Sequence, residues 1–344
     1  MRLLILTQAV DLDDPALGFF YRWIDELAKQ FEHVHVVCLK KGTYRLPENV
    51  AVHSLGKESG TSRLKYISRF YRYIFSLRQE YDVIFVHMNS EYVVLGGAFW
   101  RLWGKRIVLW RNHKVAGFST WLAAHIVQVV CYTSPSAYVR KFRNAILMPI
   151  GIDTNMFVPS DTPRDTHSIL FFGRLDEVKH PDVFVRALEM LHERGVSFTA
   201  DIVGDPTDPV SKYAHTVRNR ATTLALEGVL QMHPAIANQG APELFGAHAI
   251  YVNLTPSGSF DKTIGEAAAS GCIVVAANEV LRGIVPDPLI VDPLSAEDVA
   301  RGMEVALDLG VSERAALSKT LRDYVVHEHS LTLLVGRLMG ILRQ

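Results

Sequence analysis

The sequence predicts an α/β protein with two doubly wound parallel sheets, and three observations predict it. Short runs of Val, Ile and Leu recur along the 344 residues. Stretches of helical period separate them. A polar segment with two prolines, 159–165, divides the series into halves that each repeat the alternation.

The strand candidates of the first half are 2–7, 34–39, 83–88, 106–110, 129–134 and 145–151. Those of the second half are 168–173, 198–204, 249–254, 272–277 and 289–292. Each is apolar at both parities, which suits strands covered on both faces. Helical patterns fill the gaps at 19–31, 181–195 and 241–249, and a last one, 330–344, has no strand after it. The expected organisation is a first domain over 1–158, a second over 159–328, and a helix over 329–344 that crosses back to the first.

Composition narrows the function classes. Hydrophobic residues make up 49% and charged residues 21%, and Lys plus Arg equal Asp plus Glu at 36 each. A chain of zero net charge has no global field towards nucleic acid, so no nucleic-acid partner is expected. Cys38, Cys131 and Cys272 sit far apart in apolar runs, as buried free thiols of a reducing cytoplasm do. No secretory signal follows Met1. The segment 115–139 lacks Asp, Glu, Lys and Arg, but polar residues and Pro135 interrupt it. It reads as a helix, a short strand and a new helix opening at Ser134-Pro135, in preference to a membrane span.

The most informative segment is AIYVNLTPSGSFDKTIGEAAASGCIVVAAN, 249–278. A buried strand ends near Asn253, and a loop holds Ser257, Gly258, Ser259 and Phe260. A helix follows from about Asp261, and Gly271 closes it. Free amides and the positive dipole end of such a helix suit a phosphate or pyrophosphate. Glu266, about a turn in, is placed to accept hydrogen bonds from both hydroxyls of a ribose.

In FFGRLDEVKHPDVFVRAL, 171–188, a strand turns at Gly173, with Arg174 and Lys179 beside the turn. A planar guanidinium and a point-charge ammonium together suit a diphosphate. His113 follows the run 106–110, and His87 ends the run before it; α/β sheets place ligands at that end of their strands. Histidine spacings show no zinc pattern, and DLDD at 11–14 is the nearest approach to an acidic metal motif. No metal or other cofactor is expected.

These segments resemble retaining glycosyltransferases of the GT-B fold, specifically glycosyltransferase family 4. Glu266-Ala267 through Gly271 matches the second half of that family's paired-glutamate donor motif. Gly258 stands where its first glutamate is found, so recognition of the sugar differs or shifts, with Asp261 the nearest carboxylate and Lys262 and Thr263 open to phosphate oxygens. Gly173-Arg174-Leu175 with Lys179 matches the family's cationic turn. The run 148–159 resembles its domain-joining signature, an architectural feature. Gly18 is the one glycine in a loop, 7–20, that is usually glycine-rich, and His113 resembles the family's sugar-contacting histidine.

The resemblance implies two facing Rossmann-like domains with a deep cleft. It implies a UDP- or GDP-linked sugar as co-substrate, and retaining, metal-independent transfer to a sugar, lipid or other small acceptor. Two alternatives stay open: a nucleotide-sugar epimerase of the same architecture, and a nucleotide-sugar-binding protein without turnover. The basic, aromatic stretch 63–78 reads first as a helix packing on the sheet, with a face resting on anionic lipid at the inner membrane as the alternative.

Overall fold

The structure, a computed structural model, describes residues 1–14, 17–257 and 260–344. The chain forms two compact units. One comprises 1–151, 237–239 and 331–344, and the other 152–236 and 240–330.

In the first unit, strands β1 (Arg2–Val10), β2 (His33–Lys41), β3 (Val50–Ser54), β4 (Val83–His87), β5 (Arg106–Trp110), β6 (Val129–Tyr132) and β7 (Ala145–Leu147) make one parallel sheet. Its order is β3-β2-β1-β4-β5-β6-β7. Leu3 and Ile5 face one core and Leu4 and Leu6 the other, and all four are fully buried. This is the period-2 consequence of covering both faces. Helix α1 (Gly18–Ala28) and the C-terminal helix Leu331–Leu342 pack on the first face. Helices α2 (Arg63–Ser76), α3 (Ser90–Leu102) and α4 (Phe118–Ile126) cover the second.

The second unit contains β8 (Asp165–Phe172), α5 (Pro181–Glu193), β9 (Thr199–Val203), α6 (Lys212–Leu226), β10 (Leu230–His233), α7 (Ala241–Ala247), β11 (His248–Asn253), α8 (Lys262–Ala269), β12 (Ile273–Ala276), α9 (Ala296–Leu307) and α10 (Val311–His329). Its strands, all parallel, run in the order β10-β9-β8-β11-β12.

Several local expectations change. The chain leaves the first unit after Gly151, ahead of the 159–165 segment. The reason lies in packing: Phe157 is buried, and Arg322 of α10 donates to its carbonyl at 3.0 Å and to that of Ala269 in α8. Gly151 itself has φ +79°, and a Cβ there would lie 2.4 Å from Leu334 and 2.8 Å from Trp23, so only glycine fits the turn. Strands β3 and β10 are additions, and 289–292 is no strand. It follows a 3-10 turn, Asp287–Leu289, with one bridge from Ile290 to Ala276.

No α-helix opens at Ser134-Pro135; a 3-10 turn, Tyr138–Lys141, takes its place. Among the described residues no helix is long and apolar enough to cross a membrane. The three cysteines are buried and free.

Candidate functional site

The second sheet reverses its winding between β8 and β11, and ligands of open α/β sheets settle at such a point, outside the carboxyl ends of the strands. Two loops flank it: 173–180 after β8, and 254–261 after β11. Gly258 and Ser259 of the second loop lie outside the described residues.

The first loop is held by close backbone approach. Gly173 donates its N–H to the Val203 carbonyl at 3.1 Å. Gly204 has φ +150°, and a Cβ on it would come 1.9 Å from the Gly173 oxygen. After a 3-10 turn, Glu177–Lys179, His180 takes a left-handed φ of +50°, and Pro181 opens α5. A non-glycine residue in that region is uncommon.

The Lys179 ammonium reaches the other loop, donating to Thr255 Oγ1 at 3.0 Å and to the Asp261 carboxylate. Asp261 caps α8: Oδ1 accepts from the Thr263 backbone N–H at 3.4 Å and from its hydroxyl at 3.0 Å. Oδ2 accepts from Asn253 Nδ2 at 3.1 Å and from Thr255 Oγ1 at 3.0 Å. Behind them the fully buried Tyr251 donates to Thr263 Oγ1 at 2.7 Å and accepts from Asn253 Nδ2 at 2.9 Å. Burial acts to raise the Asp261 carboxyl. The Lys179 charge and hydrogen bonds from Lys179, Asn253 and Thr255 outweigh it and hold the group far below the usual carboxylate range.

Glu266 lies buried in α8, four residues after Lys262. Burial pushes the Lys262 ammonium down to about 8, against the attraction of Glu266 and Asp153. Arg174, on the exposed side of its loop, donates to Thr207 Oγ1 at 2.8 Å and pairs with Asp176 at 3.1 Å. Burial would raise the Asp176 carboxyl, but hydrogen bonds from Thr207 and the Arg174 and Lys179 charges lower it.

Arg174, Lys179, Asp261, Lys262, Thr263 and Glu266 therefore line one end of one sheet. Phe260 is turned inwards, its ring 5.1 Å from His329, and Ser257 Oγ accepts the Glu279 N–H at 3.0 Å. Thr263 is engaged by Asp261, Asn253 and Tyr251.

The other candidates lie in the first unit. Gly18 opens α1, its N–H donating to the Asp14 carbonyl at 2.9 Å. His113 is exposed just beyond β5, and partial desolvation with the Arg111 charge lowers its imidazole. His87 is buried, its ring stacked 3.8 Å from that of Phe20 and its Nδ1 3.3 Å from Thr7 Oγ1, so it packs the core. Among the described residues no group of three or more His, Cys, Asp and Glu is gathered for a metal.

Sequence reasoning missed Asn253 and Thr255 as members of the site, and Asp153 as a charge beside Lys262. A polar Asn ending the otherwise apolar run AIYVN was the one available signal.

The chain is similar to known proteins. Residues 166–308 match the family model described as glycosyl transferases group 1, and 12–113 match glycosyl transferase 4-like. The chain is similar to D-inositol 3-phosphate glycosyltransferases. That of Streptomyces griseus is 32% identical over 119 residues, covering 33% of this chain and 25% of the relative. That of Acidothermus cellulolyticus is 31% identical over 144 residues, covering 38% and 32%. The match thus spans a quarter to a third of these relatives.

Solved structures share the fold along the whole chain. Anabaena Alr3699/HepE, in complex with UDP and glucose, has a TM-score of 0.77 at 16% identity, with 100% of both chains covered. Sucrose-phosphate synthase of Thermosynechococcus elongatus has a TM-score of 0.77 at 17% identity, with 100% of this chain and 99% of that one covered.

Proposed function

The chain belongs to the glycosyl transferases of group 1, and from that premise we propose that it moves a sugar from a nucleoside-diphosphate donor, UDP- or GDP-linked, to a sugar, lipid or other small acceptor. One observation carries the proposal. At the switch point of the second sheet, Lys179 of one loop meets Asp261 and Thr255 of the other, at the N-terminus of α8.

A diphosphate at that point finds an ammonium, the Arg174 guanidinium and a helix dipole of favourable sign. Asp261 yields Lys179 to it. Glu266 takes the ribose hydroxyls. Gly18 and His113 are the first unit's candidates.

The reaction we propose is retaining. The bond from the anomeric carbon to the β-phosphate oxygen breaks, and the acceptor oxygen bonds to that carbon on the same face. The acceptor proton passes to the released phosphate oxygen. Arg174 and Lys179 stabilise the charge gathering there, the part that a divalent cation plays in other transferases. Proposed in the same way are a cytoplasmic site of action and the absence of a resident metal.

A second reading, donor binding without turnover, draws support from Gly258 where the family motif has a glutamate, and from the pairing of Lys179 with Asp261. A thermal-shift panel of UDP-, GDP- and ADP-sugars tests the donor. A ligand at a hundred times its Kd stabilises by about 2.7 kcal/mol. Donor hydrolysis or transfer that disappears in Lys179→Ala supports the enzyme; tight binding with no turnover on any acceptor supports the second reading.

A further inference from the structure

The stretch of the first unit that carries α2, α3 and α4 concentrates two features that the chain as a whole lacks. The protein is neutral, yet residues 63–152 hold thirteen Lys and Arg against three Asp and Glu, and nine of the thirteen are exposed, Arg69, Lys105, Arg106 and Arg111 being part-buried. Between Glu91 and Asp153 there is no acidic residue. Among the described residues, ten of the seventeen exposed large apolar side chains also fall in 64–147, so the apolar and the cationic excess fall in the same stretch of chain.

The three helices form one continuous layer. Phe70 and Ile74 of α2 are buried in the core that α3 and α4 share, and the rings of Phe75 and Phe99 lie 5.0 Å apart between α2 and α3. Leu64 near the start of α2 is 78% exposed, Leu102 at the end of α3 81%, Phe118 at the start of α4 74%, and Val115 in the segment before α4 82%. Phe118 stacks on Trp121 at 5.5 Å; Trp121 lies 4.5 Å from His125, and His125 lies 5.3 Å from Phe142. Lys141 sits 3.8 Å over the Tyr138 ring, and Arg140, Lys141 and Arg143 are exposed beside this row.

We infer that this face rests on an anionic phospholipid bilayer. The charge excess complements an acidic leaflet, each Lys or Arg near such a surface strengthening binding about fivefold. The exposed Phe and Trp suit the headgroup level, where aromatic rings collect. Exposed Leu and Val favour lipid over nucleic acid, which takes cations but offers no apolar phase for branched aliphatic side chains. The inference is independent of the transfer reaction.

Flotation of the full chain with phosphatidylcholine vesicles, with and without phosphatidylglycerol, tests it. The protein is expected to float with the anionic vesicles only, and to be released by high salt. Lys141→Glu with Arg143→Glu is expected to weaken binding at least about 30-fold. Phe118→Ser with Trp121→Ser is expected to weaken it about tenfold or more at unchanged melting temperature. If either double variant fails to fold, quenching by brominated lipid replaces it. Wild type is expected to be quenched on binding, and Trp121→Phe to bind equally with less quenching. No flotation with anionic vesicles, flotation unchanged in both folded double variants, identical quenching in Trp121→Phe, or tighter binding to an RNA duplex than to vesicles each overturns the inference.

Discussion

The Lys179 ammonium and the Asp261 carboxylate, 82 residues apart in sequence, form an ion pair across the two loops that flank the switch point of the second sheet. Only 18% and 12% of the two side chains is exposed, so each charge depends on the other. The partner expected for Lys179 in catalysis is a phosphate. At rest a carboxylate already occupies that role, and it also caps α8.

Lys179→Ala therefore carries two separable costs. It removes the cation proposed to stabilise the leaving diphosphate, and it leaves Asp261 charged and unmatched. Losing one partner of a buried pair costs about 3–5 kcal/mol. The expected result is loss of turnover with a lowered melting temperature. Lys179→Ala with Asp261→Ala is expected to recover much of the melting temperature and none of the turnover.

Asp261→Asn keeps a good N-cap and frees Lys179. Its expected effect is a roughly tenfold lower Kd for UDP or GDP, about 1.4 kcal/mol, measured by calorimetry. An unchanged or higher Kd means that the carboxylate does not compete with the diphosphate. The pH profile follows from sign. The folded-state pKa lies below that of the unfolded chain, so the stabilisation is fully present above about pH 4 and is lost as acid protonates the group. Acid melting curves of Asp261→Asn are expected to fall less steeply than those of wild type.

Lys262, pushed down to about 8, gives diphosphate binding a pH dependence of its own. A bound anion favours the protonated amine and raises its pKa, so binding near pH 8–9 takes up protons. Affinity is expected to be greatest below pH 8 and to decline above it. Calorimetry in buffers of different ionisation enthalpy reads the uptake, which Lys262→Met is expected to abolish.

Glu266→Gln tests the ribose contact. A hydrogen bond to a charged group contributes about 1.5–3 kcal/mol, so the Kd for the nucleoside diphosphate is expected to rise between about 10-fold and 150-fold. The variant is expected to bind 2′-deoxy and ribo forms alike, whereas wild type prefers the ribo form. Equal preference in wild type removes Glu266 from the ribose.

Gly204→Ala tests the loop scaffold. The added Cβ would meet the Gly173 carbonyl oxygen at 1.9 Å, and backbone cannot yield as a flexible side-chain tip can. A loss of about 2 kcal/mol or more is expected, read as a fall in melting temperature, with weaker donor binding because Gly173 opens the Arg174–Lys179 loop.

Much of the fold was legible. Strands such as β1, β4 and β11 are apolar at both parities because helices cover both faces, and that pattern needs no knowledge of neighbours. Strand β3 was not legible: it is a sheet edge, half-buried along its whole length, so VAVHS carries little contrast. Strand β10, also an edge, reads LQMH. The apolar residues of 289–292 misled in the opposite sense: Leu289 and Val291 are buried, but in a turn and irregular chain. At the candidate site, residue types singled out Arg174, Lys179 and Glu266, which the structure places on the loops and helix at the switch point of the second sheet. Phe260 and His87 show the limit, since apolar or aromatic character near a strand end does not say whether a ring faces a ligand or the core.

The sequence by itself determined the alternation of strand and helix, the two-sheet architecture and the segments that form the candidate site, because periodicity and cap chemistry are local properties. Tertiary structure alone decided that Asp261 is committed to Lys179, that Thr255 and Asn253 complete the network, and that the domain boundary falls at Gly151. Those outcomes depend on β8 lying beside β11 although β9 and β10 intervene in the chain. Adjacency of that kind is set by the packing of the whole sheet, which no short window of residues contains.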